Sequence, residues 1–431
     1  MKLNIKSSTF CILLAAALLN AGCKKNYTDP SRPLEDQVFS SPKGLTGVAV
    51  GLQRVYTAGR ASSLYNAITA DAFVTNQVTI LNQGNTAEYQ LFLGGGQVDG
   101  TNTIIAGLWT SSNKIIYDAN LVITNAEKLG DKNFASGLIA YATIFKALAL
   151  GNLATFWENV PDGTGENVGF VSRQNGYLKA IADIDKAQAA INANAMSPAF
   201  LSNIPAGIDI INTLHALKAR YSLFAGNYAQ ALASANAVDL TKKSTFNFDA
   251  VNLNPIFETV TSTNNVYSII DSVMGLPPSV QPDLSDKRLP FYILTQTSAP
   301  KWKVNGFFAG TTTQIPVYLP GEMILIKAEV YARQNDLANA LIELNKVVTK
   351  QPANDPFGVG AGQPPLVGPF TQAQLLEQIY KQRRIELFML GLSLEDMRRF
   401  GRANSERKRN FFPYPFRERD NNPNTPPDPV F

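Results

Sequence analysis

One short stretch of this chain occurs twice. KARYSLFAGNYAQAL (Lys218–Leu232) lines up without a gap on KAEVYARQNDLANAL (Lys327–Leu341). Lys218, Ala219, Asn227, Ala229, Ala231 and Leu232 fall on Lys327, Ala328, Asp336, Ala338, Ala340 and Leu341. The later copy, within Leu319–Val348, reads as two helices. Met323, Ile324, Ala328, Val330 and Tyr331 supply the apolar face of the first. Leu337, Leu341, Leu344 and Val348 form an amphipathic stripe on the second. Gln334-Asn335-Asp336 makes the turn, with Asp336 as N-cap. A single pair of helices cannot bury both apolar faces, so each copy must stack on others.

Alanines where helices approach closely, with a turn residue between them, are the grammar of tetratricopeptide-type hairpins. The expected fold is therefore mainly α: a tetratricopeptide-like stack of helical hairpins with irregular, loop-rich insertions. Helical repeats are expected over about 43–240 and 317–402, with insertions at about 61–103, 241–316 and 351–370. Lys43–Ala58, Ile104–Leu129, Gly137–Asn152, Tyr177–Ile191 and Thr371–Phe400 carry helical spacing. In the last of these, Arg383 can pair with Glu386 at i, i+3. Ala61–Asp99 is less periodic and ends in Gly94-Gly95-Gly96, which matches no phosphate-binding loop and reads as a flexible loop. Thr241–Pro316 is rich in Asn, Pro, Thr and Ser, with strand-like pieces at Val266–Ile270 and Tyr292–Leu294. Gln351–Phe370 holds five prolines and four glycines and cannot be helical throughout.

Composition narrows the function classes. Hydrophobic residues make up 45% of the 431, enough for a large core, while charged residues are 17%, below the usual quarter. A net charge of +4 without a dense basic face argues against nucleic acid as a partner. Lys2 and Lys6 precede the apolar run Phe10–Leu19, an export signal too short to span a bilayer. The run ends in Leu19-Asn20-Ala21-Gly22-Cys23, which resembles a bacterial lipoprotein cleavage site. On that reading residues 1–22 are the leader, Cys23 is lipidated, 23–42 form a tether and 43–431 a single domain. Ordinary cleavage near Ala21 would keep the export and lose the anchor. In the lipoprotein case no free thiol remains for a disulfide or a nucleophile.

Residues suited to catalysis are few. His215 is the only histidine and sits beside Leu214 and Leu217 on an expected helix, with no local nucleophile or acid. No metal or cofactor is expected. No motif ranks Glu88, Asp99, Glu158 or Asp162 above surface carboxylates, so an enzyme is not expected. Binding has better support. Tyr65, Phe73, Tyr89, Phe92 and Trp302 lie in Asn-, Gln- and Thr-rich contexts and are the candidate ligand-binding residues. Rings can stack on the CH faces of a neutral glycan, and its hydroxyls need amide or carboxylate partners.

The order of motifs resembles the SusD/RagB family of nutrient-binding lipoproteins of Bacteroidota. The residues that carry the resemblance are the lipoprotein start, Trp109 with Ile116–Asn120, Leu148–Pro161, Asp286-Lys287-Arg288 with Lys301, and Leu319–Val348. To these add Arg383…Glu386-Leu387…Gly391…Asp396…Arg399 and the terminal Phe412-Pro413-Tyr414-Pro415 with Asn422-Pro423. Gln382, Leu390 and Ser393 depart from the family pattern and read as lost ion pairs within a scaffold helix. The resemblance implies a surface-exposed lipoprotein of the outer membrane. It would capture a glycan or other polymeric nutrient and pass it to a SusC-like TonB-dependent transporter. It further implies that Trp109 and Trp157 are core, that the repeats largely face the transporter and that the insertions face the ligand. A tetratricopeptide-type envelope adaptor binding protein segments is the alternative.

Overall fold

The computed structural model describes residues 38–430; the leader, Cys23 and most of the tether lie outside them. The chain opens with α1 (Pro42–Thr57) and α2 (Ser63–Val74). After β1 (Val78–Ile80) come α3 (Thr86–Leu93), α4 (Thr103–Ala126) and α5 (Lys132–Phe156). The hairpin of β2 (Asn159–Pro161) and β3 (Phe170–Ser172) leads into α6 (Arg173–Ala193), and the short α7 (Pro198–Leu201) into α8 (Ile210–Phe224) and α9 (Tyr228–Asn236). Side-chain caps mark most of these starts: Ser41 for α1, Asn102 for α4, Asp131 for α5 and Asp209 for α8. Of the described helices, α5 is long and apolar enough to cross a membrane. It is 83% buried over that window and packs against α1, α4, α6 and α8, so it is the central core helix.

The repeated stretch behaves as its sequence demands. α8 and α9 form the first copy, and α11 (Pro320–Arg333) with α12 (Leu337–Val348) the second. α9 packs directly on α11, so copies separated by a long insertion are neighbours in the stack. Asn227 caps α9 and Asp336 caps α12, each side chain accepting a backbone N–H three residues on. Gly226 and Asn335, at matching places in the two turns, both adopt left-handed backbone, with φ 78° and 62°. Arg220 of the first copy makes a bidentate bond to Glu322 of the second, at 2.6 and 2.7 Å.

The insertion can be long because its ends close on each other. β4 (Thr245–Phe246) pairs antiparallel with β8 (Ile315–Pro316), Phe246 opposite Ile315. Between them β5 (Tyr267–Ile269) pairs with β1, bridging to the start of the chain, and a short helix α10 (Arg288–Tyr292) runs into the hairpin of β6 (Ile293–Thr295) and β7 (Trp302–Val304). The strand-like pieces read from the sequence are thus real strands. The segment 351–370 is irregular apart from a helical turn at Pro352–Asn354.

Three expectations are corrected. Ala61–Asp99 is not mainly loop: it contains α2 and α3. All twelve residues of α2 are buried, so it has no polar face and leaves no helical periodicity to read. Gly94-Gly95-Gly96 is not a free loop, since Gly95 N–H donates to Lys408 O at 2.9 Å. Thr371–Phe400 is not one helix but two, α13 (Gln372–Glu386) and α14 (Ser393–Arg399). Met389 and Gly391 are left-handed in the break. The freed amides are taken by α2 and its neighbour: Met389 N–H donates to Gln77 Oε1, and Ser393 and Leu394 donate to the Asp71 carboxylate. A last short helix, α15 (Phe416–Asn421), precedes an irregular tail.

The anticipated Arg383–Glu386 pair does not form. Arg383 Nε bonds Asp396 at 2.8 Å, while Glu386 accepts from Arg288 at 3.0 Å and from Lys350 at 2.7 Å. Gln382 is no loss either, since its Oε1 accepts from Arg288 at 2.6 Å. All these charges except the part-buried Lys350 are buried. Burial alone would raise the Asp396 carboxyl, but Arg383 and Arg399 overcome it and hold it below the usual range. Asp71 goes the other way. Burial pushes it up to about 6, against the lowering effect of the Leu394 amide, Arg384 and the Ser393 amide.

Two outcomes follow for stability. A folded carboxyl raised to about 6 contributes stability below the unfolded value of about 3.9 and loses it as pH rises through 6. Urea unfolding between pH 4 and 8 is therefore expected to show the wild type gaining about 2–3 kcal/mol on Asp71→Asn as pH falls. A difference constant with pH would refute this. At Gly321 an added Cβ would overlap the Glu386 carboxylate, so Gly321→Ala is expected to lower unfolding free energy by about 1–3 kcal/mol or more.

Candidate ligand-binding surface

The structure divides the five ring candidates. Tyr65 and Phe73 are core residues at 0% exposure, which corrects their assignment to the ligand. Both lie on α2, whose Asn66, Thr69 and Asp71 are buried with them, so a polar sequence context did not mean a surface. The Tyr65 phenol donates to Glu88 Oε1 at 3.0 Å, and burial, Tyr267 and Glu88 push it well above its ordinary value. Phe73 packs edge-on against Tyr267, with centroids 5.1 Å apart. Trp109 and Trp157 are core as expected, 4.9 Å apart and edge-on.

Tyr89, Phe92 and Trp302 reach the surface, each half-buried. Tyr89 and Phe92 stack at 6.4 Å on one side of α3, and Phe92 meets Phe73 edge-on at 6.5 Å. Four of the five rings thus belong to one aromatic neighbourhood that runs outward from α2 to α3. The Lys408 ammonium lies 4.1 Å from the Phe92 centroid, and burial pulls that amine down to about 8. Trp302 sits apart on β7, opposite Thr295 on β6, with the Lys301 ammonium 5.2 Å from its ring. β7 packs beside β5, the strand that carries Tyr267. This single side-by-side arrangement of β1, β5 and β7 joins the two ring-bearing insertions.

Beside α3 a cavity of about 290 Å³ opens between the starts of α2 and α4. Arg60, Asn66, Glu88 and Thr103 line it. Arg60 donates to Glu88 and, at 3.2 Å, to Asn85 Oδ1; the Glu88 side chain is buried while the Arg60 side chain is 47% exposed. Burial would lower this guanidinium, but Tyr65 and Glu88 outweigh it and raise it. Gly107 keeps the cavity open, since a Cβ there would press on the Asn66 amide. The result is a half-exposed cation at the mouth of a cavity backed by the buried Asn66 and Glu88, a combination suited to hydroxyl or carboxylate oxygens. Sequence reasoning missed it because Arg60, Asn66 and Glu88 converge only through the fold.

No group of three His, Cys, Asp or Glu able to hold a metal occurs among the described residues. His215 is occupied: its Nδ1 bonds Gln188 Nε2 at 3.1 Å, and burial with Lys218 lowers its pKa. Asp99 accepts from Thr101, and Asp162 pairs with Lys179.

The fold and this surface define a class: a helical-repeat scaffold with ring-bearing insertions and polar cavities. Solved structures of the same architecture carry its description. A SusD superfamily protein from Bacteroides fragilis superposes with a TM-score of 0.67 at 16% identity, covering 90% of this chain and 99% of that one. A SusD-like carbohydrate binding protein from Bacteroides vulgatus gives 0.66 at 16%, covering 84% of each chain. A laminarin binding SusD-like protein gives 0.61 at 16%, covering 90% and 99%. No family model matches the sequence, and no curated protein matches it. The chain has the SusD/RagB fold.

The burial difference makes a clean contrast. Phe73→Ala is expected to cost about 3–5 kcal/mol of unfolding free energy, as for a buried ring. Trp302→Ala is expected to cost about 1 kcal/mol or less. Equal losses in denaturant unfolding would place Trp302 in the core.

Proposed function

We propose that this chain is a nutrient-capturing lipoprotein of the outer membrane that binds a glycan and passes it to a TonB-dependent transporter, with no bond broken. The observation that carries the reading is Trp302: a half-buried ring on a two-stranded hairpin, set beside the strand that bridges to the first insertion. Such a ring offers a face for the CH surface of a sugar without a large ordering cost. The Arg60–Asn66 cavity supplies polar partners within the first insertion. Two proteins of the same fold are described as carbohydrate binding and laminarin binding, which supports the ligand class. The anchor through Cys23 and the handover rest on the sequence resemblance.

The adaptor alternative needs an open concave face along the repeats. α8 and α11, the first helices of the two copies, are buried over most of their length. This favours the glycan reading.

Calorimetric titration with neutral oligosaccharides tests it. A wild type that binds one of them, and a Trp302→Ala variant that binds about tenfold or more weakly with unchanged melting, is the expected result. Binding that survives Trp302→Ala unchanged would remove that ring from the site.

A further inference from the structure

A second recessed surface lies among the α4, α5 and α6 helices, and no ring candidate from the insertions lines it. Two cavities of about 300 and 280 Å³ meet there and share Asn113, Pro161 and Gly163. Together they lie within the range of about 300–1,000 Å³ usual for small-ligand sites. The floor of one is apolar, formed by Ile116, Leu150 and Leu153. One wall is the β2–β3 loop, which is held at both ends. Asp162 N–H donates to Gly169 O at 2.8 Å, while Val168 O and Asn167 O accept from Asn422 and Asn424 at 3.0 and 2.7 Å.

Several carboxamides face the groove. Among the described residues the side chains of Asn120 and Asn167 have no hydrogen-bond partner, and Asn113 uses only its amide N–H, on Trp109 O. Tyr117 stands at the edge with 49% of its surface exposed. Four of the lining charges are spent on one another, and among the described residues Glu166 and Lys186 have no ion-pair partner. Lys146 pairs with Asp183, Lys179 with Asp162, and Glu418 accepts from Trp109 Nε1 and the Asn422 amide. Free carboxamides both donate and accept, and so match vicinal hydroxyls, while a phenol ring matches the CH face above them.

We propose that this groove is a second, independent binding site for a neutral saccharide chain, held by Tyr117 stacking and by the carboxamides of Asn113, Asn120 and Asn167. The saccharide class rests on the glycan reading above; the location does not.

Three variants separate the outcomes. Tyr117→Ala removes the ring. Gly163→Leu fills the junction of the cavities, and a Cβ at Gly163 meets nothing within 4 Å, so folding is spared. Trp302→Ala disables the insertion surface. The full chain and each variant are titrated with laminarihexaose, maltohexaose, xylohexaose and mannohexaose by calorimetry, with melting as the folding control. The expected result is a sugar whose binding to Trp302→Ala persists and is weakened about tenfold or more by adding Tyr117→Ala or Gly163→Leu, while Tyr117→Phe retains it. Tyr117→Ala and Gly163→Leu titrating like wild type would overturn the groove and leave the Trp302 surface standing. Binding lost in Tyr117→Ala but intact in Trp302→Ala would keep the groove and remove the insertion surface. No heat with any of the four sugars would overturn both.

Discussion

The closing helix α13 is where this structure is tied together. Arg383, Arg384 and Glu386, within its last turn, are buried, and each reaches a different part of the chain. Arg383 holds Asp396 on α14, Arg384 donates to Thr75 O at the end of α2, and Glu386 binds Arg288 of the insertion and Lys350 after α12. Taking such charges out of water is costly, and removing one partner strands the other, at about 3–5 kcal/mol. The arrangement is therefore strict about geometry. A chain that misplaced the insertion would break the Arg288–Glu386 pair and leave Gln382 without its partner.

That constraint explains which features could be read from the residues alone. The duplicated hairpins were legible because periodicity, caps and alanine spacing are local, and the structure places Asn227 and Asp336 as matching caps. α2 was not legible, because a helix buried on every side carries no amphipathic signal. The break before α14 was hidden for a related reason: its amides are satisfied by Gln77 and Asp71, more than three hundred residues away. Ion pairing failed similarly. Spacing suggests Arg383 with Glu386, yet a buried carboxylate takes the partners that the tertiary structure brings, here Arg288 and Lys350. Of the candidate site, Trp302 and the Tyr89–Phe92 pair were visible as rings in polar context. Tyr65 and Phe73 looked the same and are core, because their polar neighbours are buried too. The Arg60 cavity and the Tyr117 groove depend on convergence of distant segments, which one sequence does not display.

The same buried charges bear on the surface. Asp286 and Arg288 lie at the start of the short helix that runs straight into β6, and the Tyr292 phenol at its end donates to Glu386 O at 2.6 Å. The β6–β7 hairpin that carries Trp302 is thus seated on the ionic cluster, while its neighbour β5 is paired to β1. An insertion that looks irregular in sequence is consequently stiff where the ring is mounted. On the proposed reading this is an advantage, since a ring already held in place loses little freedom when a ligand arrives. Sequence irregularity and mechanical looseness are different properties, and in this fold buried charge separates them.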